Sequence, residues 1–218
     1  IHYEKDLGHY TGDISVINSA DSNVRDYLNS QTRIVLENAG AISASGIYGY
    51  LDSMGFSALG RVLEQSPEEM VDLIEDSGLK GRGGAYFPVS VKWRSAMSVN
   101  SQERHLVVNA EEGEPGVFKD RHVMESVPFR LIEGALIAAY ATKCTSIRLY
   151  VNAEAHLSFN RMQKALDICR SEGFLGSNIM GTDFTIEIEL MKGAGGYVCG
   201  EESTLLNTIE GKRREPRL

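Results

Sequence analysis

The stretch HLVVNA, residues 105–110, decides the fold. Six residues with a β-branched pair at their centre are too few for a stable helix and read as a buried strand. The chain that follows turns this strand into a topology. PFRLIEGALIAAYATKC (128–144) reads as a helix and SIRLYVN (146–152) as a second strand. HLSFNRMQKALDICRSEG (156–173) is an amphipathic helix, and FTIEIELMKG (184–193) alternates apolar and acidic residues like a strand with one wetter face. ESTLLNTIEG (202–211) is a last helix. Strand, helix, strand, helix, strand implies an α/β fold, a parallel sheet with crossover helices. Ligands of such sheets bind beyond the carboxyl ends of the strands. Two unusual stretches fall there: NAEEGEPG (109–116) after the first strand and GAGGYVCGEES (193–203) after the third.

Upstream of the first strand the pattern is helical. Residues 1–30 are polar and weakly patterned, with NSADSN (18–23) rich in turn formers, and read as an arm or linker. TRIVLEN (32–38) reads as a short strand, and 44–54 and 56–65 as two short helices broken at Gly55. Ser66-Pro67-Glu68-Glu69 is a helix start, with Ser66 as cap, Pro67 in the first turn and Glu69 completing a capping box. Met70, Val71, Leu73 and Ile74 supply its apolar face, and Gly78 ends it. The expected organisation is therefore an arm (1–30), a helical lead-in (31–77) and a ligand-binding domain (78–218). The chain begins with Ile1, without a signal-peptide pattern, as a fragment or processed chain would.

Composition narrows the function. A net charge of −8 argues against a nucleic-acid partner, which asks for a basic face. The most apolar segment, LIEGALIAAYATKC (131–144), carries a glutamate and is too short to insert in a membrane. Cys144, Cys169 and Cys199 lack CxxC spacing, so neither a disulfide framework nor a metal cluster ligated by this chain alone is expected, and a reducing compartment is the default. The five histidines show no i, i+4 pairing. The basic run GKRREPR (211–217) reads as a solvated surface.

Three stretches remain that carry chemistry. GLKGRGGAYFP (78–88) holds four glycines within seven residues, leading into a helix at 89–97. Bare backbone N–H groups and a helix start favour an anion, and Arg82 and Lys92 add charge. The pattern is neither a dinucleotide fingerprint nor a Walker loop, and a tightly turned connector is the plain alternative. NAEEGEPG crowds Asn109, Glu111, Glu112 and Glu114 at a strand end. Such carboxylates must be solvated, paired or bound, and they can accept from a ribityl chain, a ribose or an adenine; Mg²⁺ is also compatible. GYVCGEES places Glu201 and Glu202 at a helix start, where they would serve a ligand or simply cap the helix. Phe87, Trp93, Phe118 and Tyr197 can stack on a ring or pack in a core.

Together, GLKGRGGAYFP with Lys92-Trp93, LVVNAEEGEPGVFKDRHVM (106–124), LIEGALIAA (131–139) and GAGGYVCGEES with IEGK (193–212) resemble the flavoprotein subunit of respiratory complex I. They are also similar to its relatives in NAD-linked hydrogenases and formate dehydrogenases. The resemblance covers about residues 31–218 and implies a Rossmann-like FMN domain. On that resemblance Gly81, Arg82, Gly83, Lys92, Asn109, Glu111, Glu112, Gly200, Glu201 and Glu202 would contact FMN. Phe87, Glu114, Tyr197 and Glu202 would place NADH. The implied chemistry is hydride transfer from NADH to FMN and single-electron transfer onward to iron–sulfur subunits of a multisubunit complex, with no residue acting as general acid or base. The family's ubiquitin-like domain and [4Fe–4S] motif have no counterpart in these residues. The implied location is cytoplasmic or on the mitochondrial matrix side, peripheral to a membrane complex. Departures surround the pocket: Tyr86 stands where the family has glycine, Glu111 where it has aspartate, and Val89-Ser90-Val91 where it has Thr-Gly-Leu. They leave a second reading, a structural or assembly subunit that has lost FMN or NADH. A third, a nucleotide-binding regulator without redox chemistry, fits the loop but not the ordered set of motifs.

Overall fold

The computed structural model describes residues 26, 27 and 29–217. The arm expected over 1–30 lies almost entirely outside them. Three strands, β1 (His105–Ala110), β2 (Ser146–Val151) and β3 (Ile188–Lys192), form a parallel sheet in the order β1-β2-β3. Helix α5 (Lys119–Ser126) and α6 (Pro128–Ala141) cross from β1 to β2, and α7 (His156–Ser171) crosses from β2 to β3. Before the sheet come α1 (Tyr48–Asp52), α2 (Ser57–Leu63), α3 (Pro67–Asp76) and α4 (Val89–Ser98); α8 (Glu202–Ile209) follows it. The parallel α/β fold expected from the sequence is the fold observed.

The register explains which face of the sheet is covered. Leu106 pairs with Ile147, Val108 with Leu149, and Ile147 with Ile188, so these side chains share one face. They pack with Ile132, Ala135 and Leu136 of α6 and Met162, Ala165 and Leu166 of α7 in the main core. The opposite face carries His105, Ser146, Arg148 and Glu189, joined across strands by His105–Ser146 and Arg148–Glu189 contacts. One face is thus dry and the other polar, which corrects the expectation of a fully buried first strand: β1 is an edge strand, and only Ala110 in it is buried. β3 is also shorter than 184–193, because residues before Ile188 are used in a turn closed by the Gly176–Ile186 pair.

The lead-in packs into the main core through Ile47, Tyr50, Phe56 and Leu59, and one buried carboxylate fixes it there. Glu133 of α6 accepts hydrogen bonds from the Tyr50 hydroxyl, from Phe56 N (3.0 Å) and from Leu59 N (3.1 Å). It therefore satisfies donors at the start of α2, where the chain turns sharply through left-handed Met54 and Phe56. Gly55 between them is required by contact: a methyl there would sit 2.3 Å from the Tyr50 ring. The break expected at Gly55 is real, and both helices are shorter than expected, at Tyr48–Asp52 and Ser57–Leu63.

The capping box of α3 forms as read, with Ser66 Oγ accepting from Glu69 N and Glu69 Oε2 accepting from Ser66 N. Met70 and Val71 are buried, whereas Leu73 is exposed. TRIVLEN is not a strand. Residues 35–38 turn, and the carbonyls of Ile34 and Val35 accept from Arg130 instead of from a neighbouring strand. A β-rich composition without a partner edge to pair with makes no ladder. Helix α5 had no counterpart in the sequence reading. Among the described residues, no helix is long and apolar enough to cross a membrane.

Candidate functional site

The first strand end folds by a repeated local device. The sequence VNAE occurs twice, at the carboxyl end of β1 (108–111) and at that of β2 (151–154). In each copy the asparagine Oδ1 accepts from the backbone N–H two residues on: Asn109 from Glu111 (3.1 Å) and Asn152 from Glu154 (2.8 Å). This turn ends the strand and frees the amide group for a longer reach. Asn109 Nδ2 donates to the carbonyl of Gly200 (2.9 Å), tying the first acidic loop to the last glycine-rich one. Asn152 Nδ2 donates to Glu111 Oε1 (2.6 Å).

Glu111 is the unusual member. It is only 8% exposed, and its second oxygen, Oε2, has no hydrogen-bond partner. Burial pushes its carboxyl above the ordinary range, partly opposed by the Asn152 amide; Glu154 adds to the rise and Arg214 acts against it. The orphan oxygen faces Gly193, where a methyl would sit 2.6 Å from it and 2.8 Å from the Val151 carbonyl. Gly193 is therefore glycine because the backbone passes hard against the carboxylate. The same loop is fixed by Ala194 N donating to the Tyr150 hydroxyl (3.1 Å) and by Arg214 Nη1 donating to the carbonyls of Ala194 and Gly195 (both 3.1 Å).

The other predicted carboxylates have different surroundings. Glu112 is buried and accepts from Asp120 N (2.8 Å) and Arg121 N (3.1 Å), so it closes the start of α5 from outside the helix. Glu201 accepts from Ser203 N and Thr204 N and from both hydroxyls, which pulls its carboxyl down to about 2 and caps α8. Glu114, Glu202 and Tyr197 are exposed. Gly200 lies against the Glu111 backbone, its would-be methyl 3.5 Å from that carbonyl.

The second cluster surrounds the glycine loop. Gly81, Gly83, Tyr86, Phe87, Lys92 and Trp93 line a cleft of about 280 Å³. A methyl at Gly83 would meet no protein atom within 4 Å, so packing does not demand glycine there. Arg82 lies beside the Tyr86 ring. Among the described residues, no hydrogen bond or ion pair links this loop to the strand-end cluster, and no group of three potential ligands could hold a metal ion.

Sequence reasoning missed Asn152, Tyr150 and Arg214. The repeated VNAE could have pointed to Asn152. Arg214 belongs to the basic run read as merely solvated; Arg214 instead holds the 194–195 loop, while Arg217 and Lys212 pair with Glu210.

These features define a parallel α/β domain whose acidic loop and glycine-rich loop 193–203 meet at the carboxyl ends of its strands, with a second glycine loop lining a cleft of its own. Residues 74–218 match the family described as the Nuo51 FMN-binding domain, and the chain belongs to that family. It is 44% identical over 186 residues to the HndC subunit of the NADP-reducing hydrogenase of Solidesulfovibrio fructosivorans, a match covering 85% of this chain and 38% of that protein. It is 40% identical over 194 residues to a subunit of the NADH-quinone oxidoreductase of Aquifex aeolicus, covering 89% of this chain and 45% of the relative. Among solved structures it is similar to the NAD⁺-reducing [NiFe]-hydrogenase in the H₂-reduced state, with a TM-score of 0.65 and 32% identity over 86% of this chain and 29% of that one. The chain thus spans less than half the length of these relatives.

Proposed function

We propose that this chain is the FMN- and NADH-binding part of an NADH-oxidising electron-transfer subunit, with residues 78–218 as the binding domain and 31–77 as its helical lead-in. The observation that carries the reading is Glu111: a buried carboxylate with one oxygen tied to Asn152 and the other left without a donor. An unpaired buried acceptor is costly, and a ligand hydroxyl or N–H removes that cost. The residues fit FMN in two further respects. The glycine loop leaves bare backbone at Gly83 facing a cleft, with the Gly81 N–H held by the Phe87 carbonyl, and Arg82 and Lys92 have no acidic partner among the described residues, which leaves their charge for a phosphate.

Bound FMN would supply hydride acceptance from NADH and single-electron release to iron–sulfur centres. The chain's own residues do simpler work. Arg82, Gly83 and Lys92 bind phosphate, and Gly81, its N–H held by the Phe87 carbonyl, closes the loop beside it. Asn109 and Gly200 hold the two loops at a fixed separation through their hydrogen bond. Glu111 accepts from the cofactor; Glu112, Glu201 and Glu202 set the negative potential of the strand ends. Phe87, Glu114 and Tyr197, exposed around the two clusters, orient NADH. The electron acceptors are iron–sulfur subunits of a multisubunit assembly, and any [4Fe–4S] centre is ligated outside these residues. The assembly lies on the cytoplasmic or matrix side, peripheral to a membrane.

A specific observation favours the second reading, a structural subunit without cofactor. Glu112 and Glu201 both cap helices, so their retention has a reason that involves no ligand. Glu111 Oε1 likewise has a protein partner in Asn152, but its Oε2 has none. The test is the absorbance spectrum of the purified protein after incubation with FMN and gel filtration. Flavin bands co-eluting with protein, bleached on adding NADH, are expected; a colourless protein, in this chain and in a longer one, establishes the structural-subunit reading instead.

A further inference from the structure

The glycine loop adopts a conformation that one of its residues resists. Gly81 N donates to Phe87 O (2.8 Å) and Val89 N to Leu79 O (3.0 Å), which closes residues 79–89 into a hairpin. The residue that turns the chain back before Phe87 is Tyr86, at a φ of +56°. Glycine takes this left-handed conformation freely, whereas a tyrosine Cβ crowds the neighbouring carbonyl. Core packing offers no compensation, because Tyr86 is 59% exposed.

The ring does have neighbours. Lys80 Nζ lies 5.6 Å from its centroid and Arg82 Cζ 5.8 Å, both within cation–π range. Lys80, Arg82 and Lys92 form no ion pair and no side-chain hydrogen bond among the described residues, in a chain of net charge −8. Two like charges held together repel, and each long side chain loses rotamer freedom. A ring whose face carries negative potential offsets both costs before any anion arrives. Backbone strain held without packing gain at the lip of a cleft needs another contact to offset it, and the two cations beside the ring are that contact.

We propose that Tyr86, whose ring lines the glycine cleft, is a positioning residue: it gathers Lys80 beside Arg82, so that Arg82 stays on the FMN phosphate and Lys80 is preassembled for the diphosphate of the dinucleotide substrate. This rests on the reading of the chain as FMN- and NADH-binding. Lys80 and Tyr86 then act on dinucleotide affinity.

The test is calorimetric titration of ADP-ribose, which has the diphosphate but no nicotinamide, into the wild-type protein and the Tyr86→Gly, Tyr86→Phe and Lys80→Ala variants. Tyr86→Gly should weaken ADP-ribose about tenfold, the scale of two cation–π contacts. Its thermal midpoint should not fall, because the strain is relieved. Tyr86→Phe should bind like wild type, since the ring and not the hydroxyl is used. Lys80→Ala, which leaves the hairpin backbone untouched, should lose affinity and show a shallower salt dependence. Wild-type-like affinity in both Tyr86→Gly and Lys80→Ala overturns the proposal while leaving the functional reading intact. A wild-type protein that retains neither FMN nor ADP-ribose overturns both.

Discussion

Two buried glutamates in this chain have opposite surroundings. Glu133 sits in the core with both oxygens engaged by Tyr50, Phe56 and Leu59. Glu111 sits at the strand ends with one oxygen engaged and one orphaned. The first closes a joint between helices; the second holds open a valence. A carboxylate whose partners all come from the protein is architecture. One whose partners are incomplete calls for an explanation, and for Glu111 the proposed one is a cofactor donor.

The comparison is broken most severely at Glu133. Glu133→Ala strands three buried donors and should cost about 3–5 kcal/mol, the range for removing one member of a buried charged network. For a chain of this size that lowers the thermal midpoint on the order of 10 °C, measurable by circular dichroism. Gly193→Ala comes next. It drives a methyl into Glu111 Oε2 and the Val151 carbonyl, and should cost about 1–3 kcal/mol while abolishing FMN retention on gel filtration. Ser66→Ala removes a helix cap remote from either glutamate and should cost about 1 kcal/mol with FMN retention unchanged.

The smallest effect on stability is a pH dependence. Burial raises the Glu111 carboxyl, so between the ordinary glutamate range and the raised value the folded chain holds a proton the unfolded chain has released. Stability therefore falls as pH rises through that window. Glu111→Gln has no proton to lose, and its thermal midpoint should overtake the wild type's on the high side of it. Glu201 has the reverse sign: its carboxyl is pulled to about 2 by the helix it caps, so its contribution is present at neutral pH and lost as pH falls below the ordinary range toward that value.

Much of this was legible in the sequence, for identifiable reasons. The parallel sheet followed from alternating strand and helix periods, and the capping box from a local pattern that needs no tertiary information. The strand at 32–38 failed because propensity cannot supply a pairing edge, and Arg130, distant in sequence, takes those carbonyls. The carboxylates of NAEEGEPG were seen as a cluster, but their division of labour was not. Whether Glu112 caps a helix depends on α5 swinging back to it, and whether Glu111 is orphaned depends on Asn152 and Gly193, each about forty or more residues away in sequence. Arg214 was read as solvated because its acceptors are carbonyls of a remote loop.

The central claim is tested most directly by the thermal midpoint of the wild type, Glu111→Gln and Glu133→Gln, each with and without saturating FMN. FMN that binds the folded state raises the wild-type midpoint. Glu133→Gln should start lower and keep that rise, whereas Glu111→Gln should start near the wild type and lose most of it. A Glu111→Gln protein that rises with FMN as fully as the wild type would contradict the assignment of its orphan oxygen to the cofactor.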